Sequence, residues 1–305
     1  MARKRLSYQK KKQRYGYVFI LPWIIGFLMF FARPVIESIY FSFSQVRMTD
    51  QGTFTATYVG FRNYLYLLLE DPNYLRRLTT TLTDLAYEVP IILVYSLFIA
   101  VILSQPFRGR TFFRAVFFLP VIVASGVVML ILKNEVFSGG GLGGAAQNVY
   151  LFQSSGLEDI LRQANIPNNI VSFLTDIVNR IFTLTWKSGV QILLFLASLQ
   201  NIPESHYEAA KIEGSSAWDT FWKITIPTIS PIILLNIVYT LIDTFVEYGT
   251  EHSGNQMMHM IYQTAFQELL WHLSAAQAWF YFLIIGLILA IVYRIIGRRV
   301  FYLAD

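Results

Sequence analysis

Residues 207–233 read YEAAKIEGSSAWDTFWKITIPTISPII, a polar and helix-forming segment set between two long apolar runs. Its reading decides the fold, because a chain that breaks its apolar stretches with a structured, charged insert must pass in and out of a nonpolar medium. The composition identifies that medium. Of 305 residues, 55% are hydrophobic and 14% charged, against roughly 25% charged in an ordinary soluble domain. Aromatic residues reach 16%, with 25 Phe and 18 Tyr, as expected where rings sit in lipid and at its interface. There is no cysteine, which excludes disulfides, thiolate metal sites and cysteine nucleophiles.

A membrane-spanning helix needs roughly 20 mostly apolar residues. Six stretches meet or approach this length, at about 16–44, 82–104, 113–133, 177–199, 228–247 and 276–296. The first is interrupted by Arg33 and Pro34, so its outer part is expected to leave the bilayer. The fourth is weakened by Arg180 and Lys187. Lipid does not tolerate unpaired backbone groups, and the runs are continuous rather than alternating, so helices are expected and a barrel is not. The first run follows RKRL and KKKQR, but no small-residue cleavage site comes after it, so it reads as a retained span. The expected fold is all-α: a polytopic membrane protein with about six transmembrane helices and both termini cytoplasmic. A basic cytoplasmic N-terminus, 1–15, precedes a transmembrane domain over 16–305.

Lys and Arg placement sets the orientation. With both ends inside, the cytoplasmic face holds Arg3, Lys4, Arg5, Lys10, Lys11, Lys12 and Arg14, then Arg108, Arg110 and Arg114, then Lys211 and Lys223, and finally Arg298 and Arg299. Residues 248–278 contain no Lys or Arg, while the external connection 45–80 carries four arginines and weakens the bias without reversing it. The quoted segment is therefore expected in the cytoplasm. The long external loop of about 134–176 contains SGGGLGG at 138–144, read as a flexible connection or a docking loop at the outer mouth.

Within the quoted segment, Glu208, Ala209, Ala210 and Lys211 favour helix, and Ser205 is a candidate cap. Gly214 interrupts the helix, and Ser215 or Ser216 can cap a second one over 217–225. Pro227 stops it and Pro231 opens the next span. Trp218, Phe221 and Trp222 supply an apolar side. Glu208, Glu213 and Asp219 outnumber Lys211 and Lys223 on the polar side. A membrane-surface helix usually carries a basic polar face, so the balance tilts toward a protein partner.

No motor or catalytic motif accompanies it. G-x-x-x-x-G-K-[ST], H-E-x-x-H and G-x-S-x-G are all absent. The four histidines, 206, 252, 259 and 272, lack metal-ligand spacing. No catalytic residue, metal site or cofactor is expected in this chain.

The stretch EAAKIEGSSAWDTFWKITIPTISP, 208–231, resembles the EAA loop of ABC-importer permeases. LLFLASLQNIP (193–203), GRTFFRAVFFLPVI (109–122) and YVGFRNYLYLLLEDPNYLRRLTTTL (58–82) resemble the carbohydrate-uptake branch of that family. YGYVFILPWIIGFLMFFARPVIESIYFSFS (15–44) resembles its first-subunit type. Together they cover most of 15–235 in order. The resemblance implies a multi-pass permease of a bacterial or archaeal cell membrane that imports a carbohydrate. Its implied partners are a second homologous permease, two copies of a cytoplasmic ATPase carrying ATP and Mg, an extracellular solute-binding protein and the lipid bilayer; no nucleic acid is implied. The loop at about 201–227 would couple to the ATPase through Glu208, Ala209, Ala210, Gly214, Phe221 and Pro227. Glu208 matches the glutamate that pairs with a basic residue, and Gly214 matches the turn. The chain departs from the family pattern after the fifth span, at EYGTEHSGNQMMHMIYQTAF (247–266), and keeps only Ala275 and Ala276 of the usual opening of the sixth.

A candidate cargo pathway comes from the residues themselves. Asn236, Thr240, Asp243 and Glu247 are four, three and four apart, hence on one helix face. Intramembrane acids are costly and usually face a cavity. The alternative is that Glu247 reaches the outer interface and Asp243 pairs with Lys187 or Arg180. Lys187 and Gln191 share a face beside Trp186, and Tyr239, Phe245 and Trp186 could stack on a sugar ring. A second class of function, an ion- or proton-driven carrier, would use Asp84, Glu88 and Asp243 as proton shuttles.

Overall fold

A computed structural model of the chain describes residues 8–48, 54–124, 167, scattered positions of 170–187, 188–247, 255–298 and 300. Side chains are described from 17 onward, except 18 and 118–124. The Gly-rich stretch 138–144, Arg180, Trp186 and the basic residues 3–5 lie outside the described residues.

The first apolar run is helical throughout. Helix α1 (Tyr8–Phe27) passes through a π-helical turn at Leu28–Ala32 into α2 (Arg33–Ser42). The helix continues through Arg33 and Pro34. Pro34 falls in the first turn of α2, and the wider turn before it relieves the clash a proline ring makes with the carbonyl four residues back. Arg33 Nε donates to Glu37 at 2.8 Å one turn on. Residues Phe19–Ser42 thus form one helix long and apolar enough to cross a membrane.

An all-α fold needs one correction. β1 (Ser44–Met48) pairs antiparallel with β2 (Phe54–Tyr58), Ser44 opposite Tyr58 and Met48 opposite Phe54. The β-branched and aromatic residues of FTATY suit a half-covered strand. The base of the hairpin is pinned by buried Asn63, whose Nδ2 donates to the Ser42 and Ser44 carbonyls, both at 2.9 Å. The ring of Phe54 meets that of Trp271 at 4.0 Å between centroids.

After the short α3 (Arg62–Leu65), α4 (Pro72–Ser104) is 33 residues long. Pro72 opens it where an N–H is dispensable, and Asp71 Oδ1 accepts from the Asn73 and Tyr74 amides at 2.9 and 3.2 Å. Near its start, Thr79, Thr80 and Thr83 each donate back to carbonyls of the preceding turn. α5 (Arg110–Ala124) follows, and Arg114 Nη2 donates to the Leu103 carbonyl at 3.1 Å. After the partly described stretch come α6 (Gly189–Gln200), the polar segment, and α10 (Ser230–Val246). α11 (Gln256–Phe266), unforeseen from the sequence, and α12 (Trp271–Gly297) complete the described chain.

By length and composition, three of the described helices can cross a membrane: Phe19–Ser42, Pro72–Ser104 and Trp271–Gly297. A fourth is added if Ala217–Thr228 and Ser230–Val246 count as one bent span. Large apolar side chains such as Phe19, Phe30, Val94 and Leu283 are exposed along these helices, which in lipid costs nothing.

Contacts divide the chain into two compact units, one of Met1–Thr83 with Phe245–Ile288, the other of Asp84–Thr244 with Leu289–Asp305. In the first, Asn255 Nδ2 donates to the Phe245 carbonyl at 2.7 Å and to the Tyr281 hydroxyl at 3.0 Å. Trp279 Nε1 donates to Ser38 Oγ at 3.2 Å. In the second, Ala100, Leu103, Ile192, Phe195, Leu196, Ile202 and Ile229 form a buried cluster that joins the end of α4 to α6 and to the start of α10.

Candidate functional site

The polar segment folds as two helices about a glycine. α7 (Glu204–Ile212) begins at Pro203, with no side-chain cap. Ser205 lies inside the helix and does not cap it. Glu204 in the first turn and Lys211 in the last complement the helix dipole. The C-terminus closes with two bonds, Gly214 N–H to the Lys211 carbonyl at 3.1 Å and Ser215 N–H to the Ala210 carbonyl at 2.9 Å. This is a Schellman closure, which requires a left-handed residue; Gly214 supplies it at φ +74°. A Cβ there would meet nothing within 4 Å, so the demand is conformational and not steric. Gly214→Val is therefore expected to destabilise the turn by about 1–2 kcal/mol, and Gly214→Asn by less. Limited proteolysis of the assembled subunit across 205–225 reads the difference: faster cleavage for Val, little change for Asn.

Of the two serines considered as caps, Ser216 takes the role. Its Oγ accepts from the Asp219 amide at 3.1 Å and donates to Asp219 Oδ2 at 2.5 Å, opening α8 (Ala217–Thr220). Asp219 also pairs with Lys223 at 2.7 Å. The Lys223 hydrogen bond, then that of Ser216, hold the Asp219 carboxyl below its usual range. A depressed carboxylate keeps its interactions through neutral pH and loses them only as pH falls below that range. A π-helical turn at Phe221–Thr225 and the short α9 (Ile226–Thr228) follow. Pro227 sits inside α9 and does not stop the chain; the axis instead turns by 66° at Ile229 into α10.

The proposed coupling residues are distributed unequally. Glu208, Ala209 and Gly214 are exposed, Phe221 and Pro227 half-buried, and Ala210 buried. Tyr207 and Thr225 share a hydroxyl hydrogen bond of 3.3 Å that ties the two helices together. Beneath them lies a cavity of about 460 Å³ whose lining includes Ser104, Gln105, Leu199, Tyr207, Lys211 and Phe221. Ile212, Trp218 and Trp222 stay on the outside.

The second constellation lies on α10, on α6 and on the chain just before α6. Asn236 and Thr240 are fully buried, and Gln191, equally buried, donates to Thr240 Oγ1 at 3.0 Å. Gln191 Oε1 and both amide atoms of Asn236 find no hydrogen-bond partner among the described residues. Tyr239 is half-buried and Asp243 exposed. Glu247 is half-buried one residue past the end of α10. Lys187 Nζ bonds Glu88 Oε1 at 2.6 Å, and its charge also acts on Asp243. Glu88 as the partner of Lys187 was missed among the pathway residues; the acidic pair Asp84 and Glu88, one turn apart, was its only signal in the sequence.

An apolar helical chain with several candidate spans is that of a multi-pass membrane protein. Residues 69–302 match the family described as "Binding-protein-dependent transport system inner membrane component", and the chain belongs to that family. It is thus a transport component and not an enzyme. It is 32% identical to the "Probable ABC transporter permease protein YesP" of Bacillus subtilis, over 96% of this chain and 94% of that one. It is 27% identical to the "Multiple sugar-binding transport system permease protein MsmF" of Streptococcus mutans, over 90% and 92%. Among solved structures, a chain of a bacterial alginate ABC transporter in complex with an alginate pentasaccharide-bound periplasmic protein superposes with a TM-score of 0.63. It shares 19% identity over 97% of this chain and 98% of that one, a likeness of fold.

Proposed function

We propose that this chain is one of two permease subunits of an ATP-driven carbohydrate importer in a bacterial or archaeal inner or plasma membrane, with an oligosaccharide as cargo. Six spans, two cytoplasmic termini and a basic tail at 1–15 complete this reading. The observation that carries it is the helix pair about Gly214, with Glu208 and Ala209 exposed on α7. An exposed acidic helix bound through Tyr207 and Thr225 to the helix that feeds α10 moves with the membrane part when it is pushed. In the proposed assembly, two cytoplasmic ATPase copies hold ATP and Mg and grip this helix in each permease. An extracellular solute-binding protein delivers the sugar. Nucleotide and loaded binding protein favour one of two states, which is what a ligand-driven switch requires.

The sugar reading is supported by the relatives, since MsmF is a multiple sugar-binding transport system permease and the solved neighbour belongs to an alginate transporter. Asn236, Thr240, Gln191, Tyr239 and Asp243 are proposed to line the path, with Glu247 at its outer end and Lys187 and Trp186 beside it. The buried amide of Asn236 and the Gln191 Oε1, without partners among the described residues, support this, because such groups cost roughly 1–3 kcal/mol unless something meets them. Vesicles holding the reconstituted complex should take up labelled oligosaccharide only with internal ATP and the loaded binding protein. Asp243→Asn should change rate or cargo preference at least several-fold while the ATPase stays bound. Uptake driven by a proton gradient without the ATPase would instead establish the carrier reading, in which Asp84, Glu88 and Asp243 shuttle protons.

A further inference from the structure

Trp218 and Trp222 have no role in the reading above. They are 70% and 50% exposed, one helical turn apart, with ring centroids 5.6 Å from each other and an edge contact. Two exposed indoles side by side are expensive in water and need a cover. Their height relative to the adjoining span says what covers them. Helix Ala217–Thr228 meets α10 at 66°. From Trp222 to Ile229 the helix runs roughly 10 Å at ~1.5 Å per residue, of which only about 4 Å lies along the axis of α10. From Trp218 the same projection gives about 7 Å. Interfacial helices bury their apolar face about 5–10 Å into the headgroup boundary. An ordinary span tilt of about 20° keeps Trp222 within roughly 7 Å of the bend. With the bilayer beginning at the Ile229 bend, Trp222 lies within that depth with or without tilt and Trp218, at up to about 11 Å when tilted, at its outer limit; this is the depth that tryptophan prefers. Lys223, paired with Asp219 on the surface, has the long stem that lets a charge reach water from such a position. The buried flank of the same helix, through Thr225, is already covered by the chain beneath it.

We propose that the helix over 217–228 lies on the inner surface of the bilayer, with Trp218 and Trp222 inserted among lipid headgroups, so that α7 alone is offered to the ATPase. This rests on α10 being a span with its start on the cytoplasmic side. The partition has a mechanical use: a lever needs a fulcrum, and two indoles at the interface resist both lifting and sinking of the bend at Ile229.

The chain contains no cysteine, so Trp218→Cys, Trp222→Cys and Glu213→Cys each give it a single site for a nitroxide label. The complete complex, with partner subunits free of reactive thiols, is placed in nanodiscs of phosphatidylethanolamine and phosphatidylglycerol. Collision with oxygen, which dissolves in lipid, is compared with collision with a water-soluble nickel chelate. Labels at 218 and 222 should favour oxygen several-fold over the label at 213, which should behave as aqueous. Nickel access at 218 and 222 equal to that at 213 overturns the proposal. So does exclusion of both reagents, which would mean that the ATPase covers the rings. Failure of the coupling reading itself looks different: the label at 213 would then be reached only by chelate added on the external side of sealed vesicles. As a check without labels, brominated lipids should quench the native complex more than a complex carrying Trp218→Phe and Trp222→Phe; equal fractional quenching counts against insertion.

Discussion

Glu208→Lys is expected to abolish ATP-linked uptake while the subunit still inserts and still pairs with its companion permease. Glu208 is exposed on α7, with no side-chain hydrogen bond or ion pair among the described residues, so replacing it costs the isolated subunit little. In the proposed complex it meets a basic residue of the ATPase. Removing one partner of a desolvated charge pair costs about 2–5 kcal/mol, and a lysine adds repulsion to that loss. At ~3 kcal/mol, docking weakens by roughly 150-fold. Pull-down of the ATPase and uptake by vesicles should fall together, and Glu208→Gln should lie between. Normal uptake by Glu208→Lys would remove α7 from the coupling role.

The second large effect is expected at Lys187. Its ammonium group bonds Glu88 at 2.6 Å, with 17% and 27% of the two side chains exposed. Lys187→Met leaves the Glu88 carboxylate without this partner in a poorly hydrated place, a loss of about 3 kcal/mol. The purified complex should melt several degrees lower, and Glu88→Gln in the same chain should restore much of the difference. The rescue is the informative part, since it separates an ion pair from two independent surface charges. Without rescue, the pair is not what holds the helical stretch before α6 against α4.

What the sequence made legible follows from range. Of the six apolar runs, three or four qualify as spans among the described residues, while the helix around Glu208, the turn at Gly214 and the cap at Ser216 are each decided within a few residues by helix propensity, backbone freedom or side-chain reach. Each sits where local chemistry put it. The Lys187–Glu88 bond joins residues 99 apart and the Gln191–Thr240 bond residues 49 apart, and no spacing rule reaches that far. The small hairpin was lost because strands of five residues vanish beside spans of twenty or more. The π-helical turn at Leu28–Ala32 was not legible either. Such a turn lets a helix run on into Arg33 and Pro34, and it has no sequence signature. Where the path residues stand is legible only in outline: a helical face can be read off, but not what it faces.

The row of threonines early in α4 has a consequence for where this protein can live. A helix of 33 residues is about 50 Å long, against a hydrocarbon layer of roughly 30 Å. The surplus is not uniformly polar. Thr79, Thr80 and Thr83 satisfy their own hydroxyls on the turn behind, so those turns can be wetted or submerged at small cost. A helix longer than the layer it crosses meets a thinner or thicker membrane by tilting, and the self-satisfied threonines lower the cost of moving those turns across the boundary.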